Sequence, residues 1–130
     1  MKTRKKLFTF IITLVASIFL VVPNSAFANS SVSDTVNGVN LYGLVNIGAN
    51  HASASTSASE SVYMRVDLTY TYGIAGTTRE KSISGSDSGF KTGVSAFLDP
   101  IEFGSTSVRA NAVHTWTLGN IWTRNTAVNY

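Results

Sequence analysis

The sequence predicts an all-β protein, a small antiparallel β-sandwich or barrel that follows a cleaved N-terminal signal peptide. Residues 61–72 alternate, with apolar or aromatic side chains at every even position and mainly polar ones between them, and residues 105–118 show the same period. Successive side chains of a strand point to opposite faces, whereas a helix would scatter these residues around its circumference. Short glycine-bearing segments separate these stretches, which indicates antiparallel connections.

The N-terminus has three parts. Four basic residues lie within the first six, an apolar run without charge occupies residues 7–22, and Ala26-Phe27-Ala28 follows Pro23. This order is typical of a secretory signal peptide that is cleaved after Ala28. An uncleaved membrane anchor is the alternative, but the run of 16 residues is shorter than the roughly 17–25 that cross a bilayer. We therefore expect residues 1–28 to be removed and residues 29–130 to form a single all-β domain that is secreted, extracellular and not stably anchored to a membrane.

Composition narrows the classes of function. The whole chain has a formal net charge of +3, but residues 29–130 contain six basic and seven acidic side chains, which leaves −1. Without a basic surplus, nucleic acid and anionic lipid are not expected partners. The chain contains no cysteine, which excludes a disulfide scaffold and a thiolate metal site. Export without disulfides fits a bacterial, Gram-positive secretion route.

The first half of the domain contains two strand patterns. Residues 29–37 are polar and are predicted to be a loose leader, and residues 39–49 predict the first strand. Residues 51–60 alternate Ala and Ser in the phase that continues into residues 60–72. A straight strand over both segments would be roughly 70 Å long, so we expect a turn near residues 56–59. This Ala/Ser segment is predicted to be a plain edge strand, or alternatively a flat face that packs against another copy.

The second half predicts shorter strands around one long strand. Residues 73–89 contain four glycines and predict a hairpin or loop around a short strand near residues 78–83. Residues 90–98 predict another strand, which ends at Asp99-Pro100 because proline lacks the hydrogen-bond donor of a sheet ladder. Residues 105–118 predict the second long strand. Gly119-Asn120 predicts a two-residue hairpin turn into a returning strand at residues 121–128.

Side chains that could carry catalysis are sparse. His51 and His114 have no spacing typical of metal ligands, and His114 shares the apolar phase of its strand, which favours a buried, hydrogen-bonded ring. Asp99 and Glu102 could act as an acid–base pair in a cleft, but two carboxylates beside a proline more commonly solvate a turn. No serine lies in a recognised nucleophile motif. We therefore expect a non-enzymatic protein without a metal or another cofactor, and a small secreted hydrolase or inhibitor is a further alternative.

The predicted hairpin suggests a binding site. If Gly119-Asn120 is the whole turn, Trp116 faces the core, and the opposite face carries four side chains that we predict to bind a ligand: Trp122, Arg124, Thr115 and Thr117. An outward tryptophan beside an arginine suits contact with sugar rings or with a partner protein. In the alternative arrangement, a two-layer sandwich covers both sides of the hairpin and buries both indole rings.

Together these observations predict a secreted, non-enzymatic β-sandwich that acts by binding, at a bacterial cell envelope or in competition with neighbouring cells. In its size, export and lack of cysteine, the chain resembles some secreted Gram-positive bacteriocins, a resemblance that implies no site residue. The alternative is a self-associating extracellular surface or matrix protein that uses the Ala/Ser segment as its edge. The expected partners are an envelope component, another extracellular protein or a second copy in a homo-oligomer.

Overall fold

The computed structural model describes residues 28–100 and 102–130 as an antiparallel sheet that is nearly closed into a barrel. Its strands are β1 (Ala28–Val36), β2 (Val39–Ile47), β3 (Ala52–Gly73), β4 (Glu80–Leu98), β5 (Thr106–Leu118) and β6 (Asn120–Asn129). They are hydrogen-bonded in the order β1-β2-β3-β5-β6, and β4 pairs with β3 outside this path. The predicted all-β, antiparallel class is confirmed.

The predicted signal peptide, residues 1–28, lies outside the described residues except for its last member. Ala28 is the first residue of β1 and pairs with Ile47 of β2. The signal peptide and its cleavage site therefore stay predictions. Within residues 28–100 and 102–130, the structure contains no helix that is long and apolar enough to cross a membrane.

Strand β1 corrects the prediction of a loose leader at residues 29–37. It pairs with β2 along its whole length, and every second side chain is partly or fully buried. Asn37 and Gly38 join the two strands with φ values of 51° and 79°. Positive φ at both central residues is the geometry of a type I′ hairpin turn, for which Asn-Gly is strongly preferred. The Asn-Gly dipeptide in the sequence is therefore a signal for a hairpin. It was not used to predict a strand because the residues of β1 are mainly small and polar and show no clear apolar alternation.

Strand β3 is the centre of the fold, and it has no turn inside it. Its 22 residues are continuous, which contradicts the turn predicted near residues 56–59. Residues 52–58 pair with β2 and residues 63–73 pair with β5, while β4 follows the opposite edge of both segments. The register against β4 shifts between Ser57 and Val62. An irregularity of this kind bends a strand without ending it, so β3 changes partners at the place where a turn was predicted.

The bend puts the two halves of the β3–β4 pair in opposite layers. Gly85 pairs with the C-terminal half of β3 and Leu98 with its N-terminal half, yet a Cβ on Gly85 would lie 3.1 Å from Leu98 Cδ2. The short strand near residues 78–83 and the separate strand at residues 90–98 were thus predicted wrongly, because they are parts of one strand. Its glycines do not break the strand; Gly85 leaves room for the facing layer.

The core lies between these layers. The apolar phase predicted for the central strand is confirmed, since each of its members is buried: Val62, Met64, Val66, Leu68, Tyr70 and Tyr72. The predicted apolar phase of β5 adds Trp116 and His114, which are fully buried. Trp116 Nε1 donates a hydrogen bond to the carbonyl oxygen of Ser57 at 3.0 Å. This bond ties β5 to the other layer beside the bend in β3.

Candidate binding surface

The β5–β6 hairpin determines which side chains can meet a ligand. Leu118 pairs with Asn120, so only Gly119, with φ of 80°, separates the two strands. Trp116 consequently pairs with Trp122. The predicted two-residue turn placed these indoles on opposite faces and was wrong by one position. A shift of one residue moves a side chain to the other face of a sheet, so Trp122 shares the core side with Trp116.

Trp122 and Arg124 belong to the contact that brings the two end strands together. Trp122 is half-buried and packs against the core. Its position is closer to the alternative prediction, in which both indole rings are buried, than to an exposed tryptophan. Arg124 Nη2 donates a hydrogen bond to Asp34 Oδ2 at 2.7 Å, and Arg124 Cζ lies 6.0 Å from the centroid of the Trp122 ring. Asp34 lies on β1 and Arg124 on β6, so this ion pair stabilises the nearly closed barrel. We call Asp34, Trp122 and Arg124 together the seam.

Thr115 and Thr117 lie in the outward phase of β5. Thr115 pairs with Thr123, and Thr117 pairs with Ile121 on β6 and with Tyr63 on β3. The structure therefore separates the four predicted binding residues into two pairs. Thr115 and Thr117 lie on the outer face, whereas the other two are in the seam. The predicted binding role stays a prediction for each pair, but the four do not form a common surface.

A row of three large apolar side chains and Thr117 crosses the outer face. It consists of Phe90 on β4, Tyr63 on β3, Thr117 on β5 and Ile121 on β6, which are paired from strand to strand. Phe90 is 73% exposed, Tyr63 48% and Ile121 72%. Because neighbouring strands lie about 4.8 Å apart, the row extends over roughly 14 Å. We call these four residues the outer row. Exposed large apolar side chains in one contiguous set are typical of a contact surface.

Sequence reasoning missed three members of the outer row. Tyr63 was visible as an aromatic residue in the polar phase of the central strand. Phe90 and Ile121 carried no such signal, because their alignment with Tyr63 depends on the register shift in β3 and on the length of the β5–β6 turn. These two features are set by tertiary packing.

The next row of the same face is polar. Ser88, Arg65, Thr115 and Thr123 are paired across the four strands. Arg65 Nε lies 2.9 and 2.8 Å from the two carboxylate oxygens of Asp67, and Arg65 Nη2 lies 2.6 Å from Oδ1. Hydrogen bonding from Arg65 holds the pKa of the Asp67 carboxyl below its usual value. Both groups are therefore ionised at neutral pH and their charges cancel. The outer face thus offers an apolar row next to hydroxyls and a neutralised ion pair.

His114 lies away from this surface, in the interior. Its Nδ1 lies 2.7 Å from Thr56 Oγ1, and its Nε2 lies 2.8 Å from Thr126 Oγ1. Burial lowers the pKa of the imidazole from 6.5 to about 4, so the ring is neutral at pH 7. A Cβ on Gly43 would lie 2.6 Å from the ring, which explains a glycine on the facing strand. The predicted buried, hydrogen-bonded ring is confirmed, and both ring nitrogens contact hydroxyls.

The two carboxylates considered for acid–base chemistry lie in the β4–β5 connection. Asp99 is exposed, and Glu102 forms an ion pair with Lys81 Nζ at the start of β4. This contact gives Glu102 a structural role that tethers the connection to β4. Among residues 28–100 and 102–130, no group of three or more His, Cys, Asp or Glu side chains is placed to hold a metal ion.

The Ala/Ser segment is interior to the sheet, which corrects both of its predicted roles. Residues 52–58 pair with β2 on one side, and most of them pair with β4 on the other. Ala52, Ala54 and Thr56 are buried, because their small side chains allow the facing layer to approach closely. The segment is therefore neither an edge strand nor a free face, and a second copy could not pair with it.

Comparison with known proteins adds no functional information: no protein-family model, no curated protein and no solved structure matches this chain.

Proposed function

We propose that this protein is a secreted, non-enzymatic binding protein that attaches to a component of a bacterial cell envelope. The observation that carries the proposal is the outer row, in which Phe90, Tyr63 and Ile121 stay exposed outside the buried core. Large apolar side chains cost little when they are scattered singly on a surface. Here three of them lie in one row that crosses four strands, which makes a contact site the better explanation.

The chemistry of the surface favours a neutral sugar polymer of the envelope as the ligand. Aromatic rings offer an apolar face to the C–H face of a pyranose ring. The hydroxyls of Thr117, Thr115 and Ser88 can donate and accept hydrogen bonds at its rim. The paired Arg65 and Asp67 leave this part of the face without net charge, which disfavours a strongly charged ligand. Thr115 and Thr117 are thus still proposed to bind the ligand, but together with the outer row and Ser88 and not with Trp122 and Arg124.

Co-sedimentation with isolated Gram-positive cell walls tests the proposal. Protein produced from the full-length chain should pellet with the walls and stay in solution in buffer alone. Tyr63→Ser should weaken binding about five-fold or more, because truncating a central aromatic contact commonly costs about 1 kcal/mol or more. Tyr42→Ser is the matched control, since Tyr42 is 42% exposed on the outer face of the other layer. Failure to pellet, or equal effects of the two variants, would contradict the proposal.

A growth assay separates a competition factor from an attached envelope protein. If binding serves competition with neighbouring cells, the protein should inhibit growth of a Gram-positive indicator strain whose walls bind it, and Tyr63→Ser should reduce inhibition and wall binding together. Wall binding without inhibition would leave an envelope-attached binding protein and would contradict the competition role.

A further inference from the structure

We infer that a second copy of this chain pairs with the N-terminal half of β4, in an antiparallel contact centred on Ser84. This interface is separate from the outer row and does not depend on the proposed function. It replaces the Ala/Ser segment as the edge through which the protein could self-associate.

Strand β4 is a long edge. It pairs with β3 from Glu80 to Leu98 and is not part of the path that links the other strands. The backbone N–H and C=O groups on its free side are therefore available to another strand. Natural edge strands are commonly short or interrupted by proline to prevent such pairing. β4 is 19 residues long and contains no proline.

The two halves of β4 differ in how their free side is protected. Asp87 Oδ2 accepts a hydrogen bond from the backbone N–H of Ser95 at 3.2 Å, so an acidic side chain covers a donor in the C-terminal half. Residues 80–86 contain no acidic group except Glu80 at the start, and their outward side chains are the serines at 82, 84 and 86. Small side chains of this kind allow a second backbone to approach. The N-terminal half is therefore the more accessible edge.

The sequence of this half is self-complementary about Ser84. In a two-fold antiparallel pair centred there, Ser84 faces its own copy and Ser82 faces the second copy's Ser86. Lys81 then faces the second copy's Asp87, and the symmetry repeats that opposite-charge pair at the other end. Directly opposite charges stabilise a strand pair, whereas like charges destabilise it. A register centred on Ser86 would place Lys81 against the second copy's Lys91, so charge favours the register centred on Ser84 over that one.

The ammonium group of Lys81 and the carboxylate of Asp87 can each form a further hydrogen bond in this contact. Lys81 Nζ contacts Glu102, but an ammonium group carries three N–H donors. The carboxylate of Asp87 accepts one hydrogen bond on each oxygen, from the N–H groups of Ser88 and Ser95, and each oxygen has a second lone pair. Pairing of residues 80–88 with the same residues of the second copy would extend over roughly 30 Å.

Cysteine substitution tests the register, because the chain contains no cysteine. In the proposed pair, the two thiols of Ser84→Cys face each other at a Cβ separation of about 5 Å, and mild oxidation should give covalent dimers. Ser82→Cys is the matched control, since its two thiols would lie roughly 13 Å apart and should not join. A mixture of Ser82→Cys and Ser86→Cys should form the mixed dimer, because these positions face each other.

Rapid dimers of Ser84→Cys, mixed dimers of the other two variants, and a wild-type mass that rises with concentration in light scattering would support the contact. A wild-type protein that stays monomeric at high concentration, or oxidation of Ser82→Cys as fast as that of Ser84→Cys, would overturn it. If Ser84→Cys fails to fold, as judged by circular dichroism, the mixed-dimer experiment decides. Wall binding is measured independently, so each proposal can fail alone.

Discussion

Replacing His114 with glutamine tests whether the buried imidazole makes the protein sensitive to mild acid. The ring is fully buried and bonded at both nitrogens to threonine hydroxyls. Protonation would place a positive charge in this interior without a carboxylate hydrogen-bonded to either nitrogen, which is costly. Glutamine can donate and accept hydrogen bonds but stays uncharged at every pH. The variant should therefore have a lower free energy of unfolding at every pH, because the glutamine packs less well. It should not show the further decrease in acid that we expect for the wild type.

The magnitude follows from the pKa values. Burial lowers the pKa of His114 from 6.5 to about 4, so between these values the unfolded chain binds a proton that the folded protein does not. The free energy of unfolding therefore falls as pH decreases through this window, by about 1.4 kcal/mol per pH unit. From pH 7.5 to pH 5 this one group should remove about 2 kcal/mol. A typical domain has only about 5–15 kcal/mol in total.

Urea unfolding of both proteins at pH 7.5 and pH 5, at constant ionic strength, measures this difference. Carboxylates such as Asp67 contribute their own acid-dependent losses, but they are present in both proteins and cancel in the comparison. Wild type should lose about 2 kcal/mol more than His114→Gln. Parallel losses in the two proteins would refute the reasoning. A titration of the wild-type histidines by NMR gives a second check, because the His114 ring should stay neutral above pH 5.

Two further substitutions test the packing. Gly43→Ala should lower the free energy of unfolding by about 1–3 kcal/mol, because its Cβ would lie 2.6 Å from the His114 ring; chemical denaturation should show no such loss for Gly73→Ala, where the nearest atom is 3.9 Å away. Asp34→Asn should cost less than about 1 kcal/mol, because the ion pair with Arg124 is partly exposed. That cost should shrink at high salt, and a salt-independent loss would show that Asp34 acts through packing.

Local patterns predicted the parts of the fold in which one face is strongly apolar. The even phase of residues 62–72 and the buried ring of His114 were correct, because burial of alternate side chains leaves a period of two in the sequence. Strand β1 was missed because its side chains are small and polar. In that segment, only the Asn37-Gly38 turn carried the information.

The candidate site was harder to predict, because it depends on register. The β5–β6 turn is one residue shorter than the sequence predicted. Trp122 therefore lies in the seam beside Arg124 and not on the outer face. The same shift brought Ile121 and Thr117 into line with Tyr63. Periodicity indicates which residues share a face of a strand, but it contains no information about which residue of the next strand lies opposite.

The sequence by itself determined the all-β class, the apolar phase of β3, that of β5 from Ala110 onward, and the absence of any thiol chemistry. These properties depend on local alternation and composition. Only the tertiary structure decided that β3 bends and changes partners instead of turning, that the Ala/Ser segment lies inside the sheet, and that β4 pairs with β3 alone and leaves its other side unpaired. The physical reason is that a strand as long as β3 can bury both halves of its apolar phase only by bending back on itself. The strands that pair with each half are then chosen by packing between distant parts of the chain.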